Sequence, residues 1–147
     1  MKLMKYGMTY NQGSLVLIPF PFTDLSTTKK RPALVVSPGW FNQAYEDVVL
    51  AAVTLITSEP LKQLDVPLAQ KDLTEGVIPK ESTIKISKLF TCHRNLVVRE
   101  VAVVKEEKLR EVLKKLREFF GEKVLNAQSN TQRLKILPNG TERDKKR

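Results

Sequence analysis

Two residue types on which many sites depend are almost missing. The 147 residues include one cysteine, Cys92, and one histidine, His93. A single cysteine excludes an internal disulfide and favours a reducing cytoplasm. The two residues are adjacent, but no further cysteine or histidine exists to complete a soft metal site. We therefore expect no soft metal site, and the sequence gives no sign of another cofactor.

Long hydrophobic runs are also missing. No apolar run approaches the ~18 residues that a membrane-spanning helix needs, and the first residues, MKLMKYGMTYNQGS, lack the apolar core of a signal peptide. The sequence thus predicts no membrane segment. The length suits one domain with one hydrophobic core, which we place at residues 1–125. The polar stretch 126–147 is expected to be a flexible tail.

Acidic residues are outnumbered by basic ones. Lysine and arginine together number 25 against 16 aspartates and glutamates, which gives a formal charge of +9. A basic surface suits an anionic partner, and nucleic acid is the commonest partner of this kind.

The apolar residues that are present occur mostly in short runs, which is typical of buried strands. Such runs lie at 14–20, 32–37, 47–57 and 96–104. Weaker strand patterns cover 64–69 and 82–91, and in the second of these Ile84, Ile86 and Leu89 are expected to point inward. Residues 21–30 are predicted to form a polar loop, and 38–46 a connection.

The period changes after residue 104. From Lys105 to Phe120 the apolar residues recur at spacings of three and four, which predicts a helix with one apolar stripe. The stripe consists of Leu109, Val112, Leu113, Leu116, Phe119 and Phe120. The sequence therefore predicts a mainly β fold, with a C-terminal helix that lays this stripe on the sheet.

The stretch KKRPALVVS, residues 29–37, joins a cationic cluster to a buried strand. Pro32 restricts the backbone and directs the side chain before it. A charge at the edge of a sheet usually faces solvent, but a rigidly held arginine is also well suited to bind phosphate through two parallel hydrogen bonds. Arg31, at the expected start of the strand, is therefore a candidate site residue.

The order of the segments GSLVLIPFPF, KRPALVVS, AAVTLITS and STIKISKL, followed by a helix, resembles the MazF/PemK toxin family of type II toxin–antitoxin modules. The resemblance covers roughly residues 12–121. It implies a small SH3-like barrel that forms a homodimer and acts as a metal-independent, sequence-specific endoribonuclease on single-stranded RNA, an mRNA interferase. It also implies a cognate antitoxin that blocks the site with an extended segment.

The same resemblance implies that Arg31 and Thr54 carry the cleavage. Thr54 is matched through LAAVT, while Thr57 and Ser58 also fit the end of that strand. An acidic position found in some relatives falls on Ser87, and a basic position falls on Lys85. The residue that accepts the proton is either Asp24 or His93, or there is no such residue. In the last case Arg31 would supply most of the rate enhancement.

Further residues are candidates for RNA binding. Lys29, Lys30, Lys85 and Lys88 would contact phosphates. Phe22 and Trp40 could stack on unpaired bases, although both also suit a hydrophobic core. Two other functions remain alternatives: a gyrase poison on a similar barrel, and a basic RNA-binding barrel without catalytic activity.

Overall fold

The computed structural model describes residues 9–21, 28–55 and 64–121. Within them, seven strands form one antiparallel sheet in the order β4, β6, β3, β2, β1, β7, β5, curled into a half-barrel. No described helix is long and apolar enough to cross a membrane. The elements are β1 Ser14–Pro21, β2 Thr28–Val35, α1 Gly39–Ala44, β3 Asp47–Leu55, β4 Val66–Leu68, β5 Leu73–Gly76, β6 Ser82–His93, β7 Arg99–Val104 and α2 Glu106–Phe120.

The fold confirms the predicted mainly β class with a C-terminal helix. Two elements were not predicted: α1 in the connection after β2, and the short strand β5. A third difference concerns β2, which begins at Thr28, so that Arg31 lies inside the strand and not at its start. The reason is that β1 and β2 pair through their main chains from Leu15–Leu34 to Pro21–Thr28, and this pairing does not depend on apolar side chains.

The central strands are buried on both faces. The face inside the curl, here called the inner face, carries a core that includes Leu15, Leu34, Ala51, Val53 and Ile84. Ile86 is also fully buried there, and Leu89 packs against the same core, as predicted. The opposite, outer face carries a second core, formed by Val16, Ile18, Ala33, Val35, Val48, Leu50 and Val97.

Helix α2 closes the inner core. Val112 is fully buried, and Leu109 and Leu116 pack beside it. Glu106 and Glu107 occupy the first turn, where a negative charge favours the helix dipole. The predicted stripe was too long, because Phe119 and Phe120 are 46% and 67% exposed and stack edge to face on each other. Among the described residues, neither ring belongs to the inner or the outer core.

Candidate functional site

Arg31 and Thr54 lie on neighbouring strands and on the same face of the sheet. The pairing of β2 with β3 joins Ala33 to Ala52, and continuing this register by two residues places Arg31 opposite Thr54. Arg31 also pairs with Ile18, a residue of the outer core. Because cross-strand partners share a face, Arg31 and Thr54 both belong to the outer face. Both side chains are half-buried.

The same face continues across β6 and β4. Thr54 pairs with the buried Thr83. Two residues further along β6 the Lys85 ammonium donates a hydrogen bond of 2.9 Å to Asp65 Oδ2. The Asp65 side chain is only 1% exposed. The outer face thus carries a guanidinium on β2, a hydroxyl on β3, another on β6, and a partly buried ion pair between β6 and the residue before β4.

A cleft of about 810 Å³ opens at the end of the sheet where Arg31 lies. Its floor is aliphatic and is formed by inner-face side chains of β1, β3 and β7. Four cations surround this floor. The lining residues are Leu15, Leu17, Lys29, Lys30, Arg31, Pro32, Val53, Leu55, Gly76, Val77, Ile78, Pro79, Ser82, Arg99 and Val101.

Two of the predicted residues lie at this end of the sheet, and two others lie near the middle of β6. Lys29 and Lys30 are exposed on β2 and line the cleft. Ser87 and Lys88 are exposed on β6. Both residues belong to a bulge in β6. Ala51 of β3 pairs with Leu89, and Val53 pairs with Ile84. The four β6 residues between Ile84 and Leu89 therefore face a single β3 residue, Ala52.

His93 and Trp40 are not brought together with Arg31. His93 pairs with Asp47, at the opposite end of β3 from the Thr54–Thr83 pair. Seven residues of strand separate the two positions by about 23 Å. The His93 ring faces Glu46 at 3.2 Å and accepts a hydrogen bond from the Asn95 amide. Trp40, in α1 at the same far end, is 70% exposed and contacts the ring of Phe41.

Four predicted site residues, Phe22, Asp24, Thr57 and Ser58, lie outside the described residues, as does the proposed tail 126–147. Among the described residues, no three metal-ligating side chains come together.

Two residues near the site were missed in the sequence. Asp65 precedes a strand of three residues, and Arg99 begins a strand with exposed residues at its start. Nothing in the local pattern distinguishes either from an ordinary surface charge. Their positions follow from the pairing of β4 with β6 and of β7 with β1.

A curled antiparallel sheet, with helix α2 packed on its inner core and a cationic cleft at one end, defines the class as a small mainly β protein. A family model for the PemK-like, MazF-like toxin of type II toxin–antitoxin systems matches residues 11–120. The chain belongs to this family. Comparison with curated protein sequences gives no match.

Solved structures with the same fold are toxins of this kind. MazE–MazF from Deinococcus radiodurans aligns with a TM-score of 0.62 at 21% identity, over 79% of this chain and 99% of that chain. A mycobacterial endoribonuclease in complex with its cognate antitoxin gives 0.61 at 18% identity, over 78% and 97%. The Mycobacterium tuberculosis toxin MazF-mt6 gives 0.59 at 14% identity, over 75% and 98%. At these identities the similarity establishes the fold.

Proposed function

We propose that this toxin is a metal-independent endoribonuclease that cleaves single-stranded RNA at a short sequence, in the cytoplasm. The observation that supports the proposal is the register of β2 and β3, which pairs Ala33 with Ala52. Continued by two residues, this register brings Arg31 opposite Thr54. The family match and the solved endoribonucleases of the same fold support the reaction class.

In the proposed reaction the ribose 2′-oxygen gives its proton to a water molecule and attacks the adjacent phosphorus. The bond from phosphorus to the 5′-oxygen breaks, and that oxygen takes a proton from water. The products are a 2′,3′-cyclic phosphate and a 5′-hydroxyl. Arg31 holds the charge that develops on the phosphoryl oxygens, because its planar fork donates two parallel hydrogen bonds and stays charged. The Thr54 hydroxyl donates to another phosphoryl oxygen and fixes the in-line geometry.

Two protein partners belong to the proposal. One is a cognate antitoxin, supported by the complexes in which the MazE–MazF and mycobacterial toxins were solved. The other is a second copy of this chain. Exposed apolar residues at the far end of the sheet, including Trp40, Tyr45, Leu96 and Val98, suit a homodimer. Light scattering at tens of micromolar should give twice the monomer mass, and a monomer mass would contradict the dimer.

The test of the reaction is a cleavage assay on a long RNA of mixed sequence in EDTA. We expect discrete fragments that carry 5′-hydroxyl ends. Thr54→Val keeps the shape of the side chain without its hydroxyl, so this variant should stay folded and lose activity. Loss of wild-type cleavage in EDTA with recovery in Mg²⁺ would contradict the metal-independent step.

The same assay separates the alternatives. Retardation of the RNA without cleavage would indicate a binding module. Gyrase-dependent DNA breaks without RNA cleavage would indicate a gyrase poison, and the exposed pair Phe119 and Phe120 at the end of α2 would then be the surface to mutate.

A further inference from the structure

The charge around the cleft is one-sided. Its lining includes four cations, Lys29, Lys30, Arg31 and Arg99, and no acidic residue. The first three belong to β2 and to the stretch KKRPALVVS, residues 29–37. Arg99 belongs to β7, on the other side of β1. The cleft is therefore cationic on two walls, and only one of them is covered by the family motif.

The register fixes where Arg99 stands. Leu17 of β1 pairs with Pro32 on one side and with Arg99 on the other. The three residues form one row across three strands, so the backbone of Arg99 lies about 10 Å from that of Pro32. Leu17 lines the cleft and cross-strand partners share a face. The Arg99 side chain is thus on the inner face, whereas Thr54 is on the outer face. Arg99 and Arg31 both line the cleft, which opens at the end of the sheet where Arg31 lies.

Arg99 is exposed and makes no ion pair with any described residue. Three other cations of the fold have an acidic partner: Lys85 pairs with Asp65, Lys108 with Glu111 and Arg110 with Glu106. An exposed guanidinium with no acidic partner in the described part of the chain has its donors open to a ligand, and its fork is well suited to phosphate.

We propose that Arg99 is a second phosphate-binding residue of the RNA site, and that the RNA strand crosses the mouth of the half-barrel from β2 to β7. This inference rests on the proposed function. A nucleic-acid strand alternates charged phosphates with the apolar faces of its bases. Cations on two walls match the phosphates, and the aliphatic floor between them, with Leu17, Val53 and Val101, accommodates an intervening base.

The experiment measures RNA binding by fluorescence anisotropy. The probe is a fluorescent RNA oligonucleotide that contains the site cut in the cleavage assay. All proteins carry Thr54→Val, so that the probe is not cleaved. We compare Arg99→Ala, Arg99→Lys and the control Arg110→Ala. Arg110 is an exposed arginine of α2, whose guanidinium pairs with Glu106 one turn away. The control therefore removes the same charge far from the cleft.

Arg99→Ala should weaken binding about tenfold, the usual effect of losing one charge-assisted contact. It should also lower the slope of log affinity against log salt by about one. Arg99→Lys should recover part of the loss, and Arg110→Ala should stay within about twofold of the parent. With Thr54 intact, Arg99→Ala should raise KM and leave kcat nearly unchanged.

If Arg99→Ala and Arg110→Ala bound RNA with equal affinity and both kept the wild-type melting curve, the role of Arg99 would be disproved. Cleavage by the wild type would in that case still support the proposed function. No cleavage by the wild type would overturn both. If Arg99→Ala weakened binding of an acidic, aliphatic peptide but not of RNA, the cleft would be a protein-binding site and the inference would also fail.

Discussion

Lys85 Nζ lies 2.9 Å from Asp65 Oδ2, and the two side chains differ in exposure, at 24% for the lysine and 1% for the aspartate. A buried charge whose partner is removed is strongly destabilising. Lys85→Met removes the ammonium group that pairs with the buried Asp65 carboxylate. This variant should therefore lower the free energy of unfolding by about 3–5 kcal/mol. Asp65→Asn should cost less, because the partly exposed lysine can turn to water. Urea denaturation measures both.

Lys88→Met is the matched control for this prediction. Lys88 is an exposed lysine on the same strand, three residues away, and exposed substitutions usually change stability by about 0.5 kcal/mol or less. A loss for Lys85→Met no larger than that of Lys88→Met would show that the pair contributes nothing to folding.

Arg31 is predicted to act on the rate of cleavage more than on binding. Arg31→Ala should reduce cleavage by about two to three orders of magnitude, the usual cost of one lost charge-stabilising donor. Arg31→Lys should recover only part, because a point charge lacks the bidentate fork. Single-turnover cleavage at saturating RNA measures the effect.

Lys29→Ala serves as the comparison, since Lys29 is an exposed cation two residues earlier on the same strand. It should weaken binding modestly with little loss at saturating RNA. A near wild-type rate for Arg31→Ala with an unchanged melting curve would remove Arg31 from the reaction. Unfolding of Arg31→Ala would instead indicate a structural role within β2.

Gly76, at the edge of the cleft, is predicted to tolerate no side chain. Its φ is +85°, and a Cβ at this position would collide with the carbonyl oxygen of Val101. Gly76→Ala should therefore lower the free energy of unfolding by about 2 kcal/mol or more. In contrast, a Cβ on Gly39 would meet nothing within 4 Å, so Gly39→Ala should be nearly neutral. Similar melting temperatures for the two variants would contradict the strain.

Cys92 should react slowly with alkylating reagents. Burial, and secondarily the carboxylate of Asp47, raise the pKa of the Cys92 thiol above its usual value. Less thiolate is therefore present at pH 8 than in a free cysteine, and the thiolate is the nucleophile. Iodoacetamide labelling followed by mass spectrometry should give a rate well below that of a cysteine-containing peptide. An equal rate would contradict the raised pKa.

The raised pKa of Cys92 also makes stability depend on pH. The folded state holds the proton more tightly than the unfolded state, whose thiol titrates near pH 8.5. The contribution to stability is therefore complete below about pH 8.5 and is lost as the pH rises through the pKa of the folded thiol. Tyr10 acts in the same direction at higher pH, because burial and then Glu100 raise its pKa. Cys92→Ala should flatten the first part of this decline, and an unaltered pH profile would contradict the assignment.

Periodic segments made much of the fold predictable. The strands that became β1 and β3 and the inward-facing Ile84 and Ile86 are apparent in the sequence, because each segment buries a face whose spacing its own residues reveal. Strand β5 was missed because, of its four residues, only Leu73 is buried. Its existence depends on pairing with β7.

The site divides in the same way. Order and spacing along the chain indicated Arg31 and Thr54, which lie on adjacent strands whose continued register makes them neighbours. Asp65 and Arg99 became visible only through the pairing of β4 with β6 and of β7 with β1.

The sequence by itself determined the family, the mainly β composition and the cationic motif, because these reside in local order and residue type. The tertiary structure alone decided which charges meet. It paired Lys85 with a buried aspartate, separated His93 from Thr54 by most of the length of β3, and placed Arg99 across the cleft from β2. The physical reason is that side-chain encounters between strands depend on sheet order and register, and both result from the packing of the whole chain.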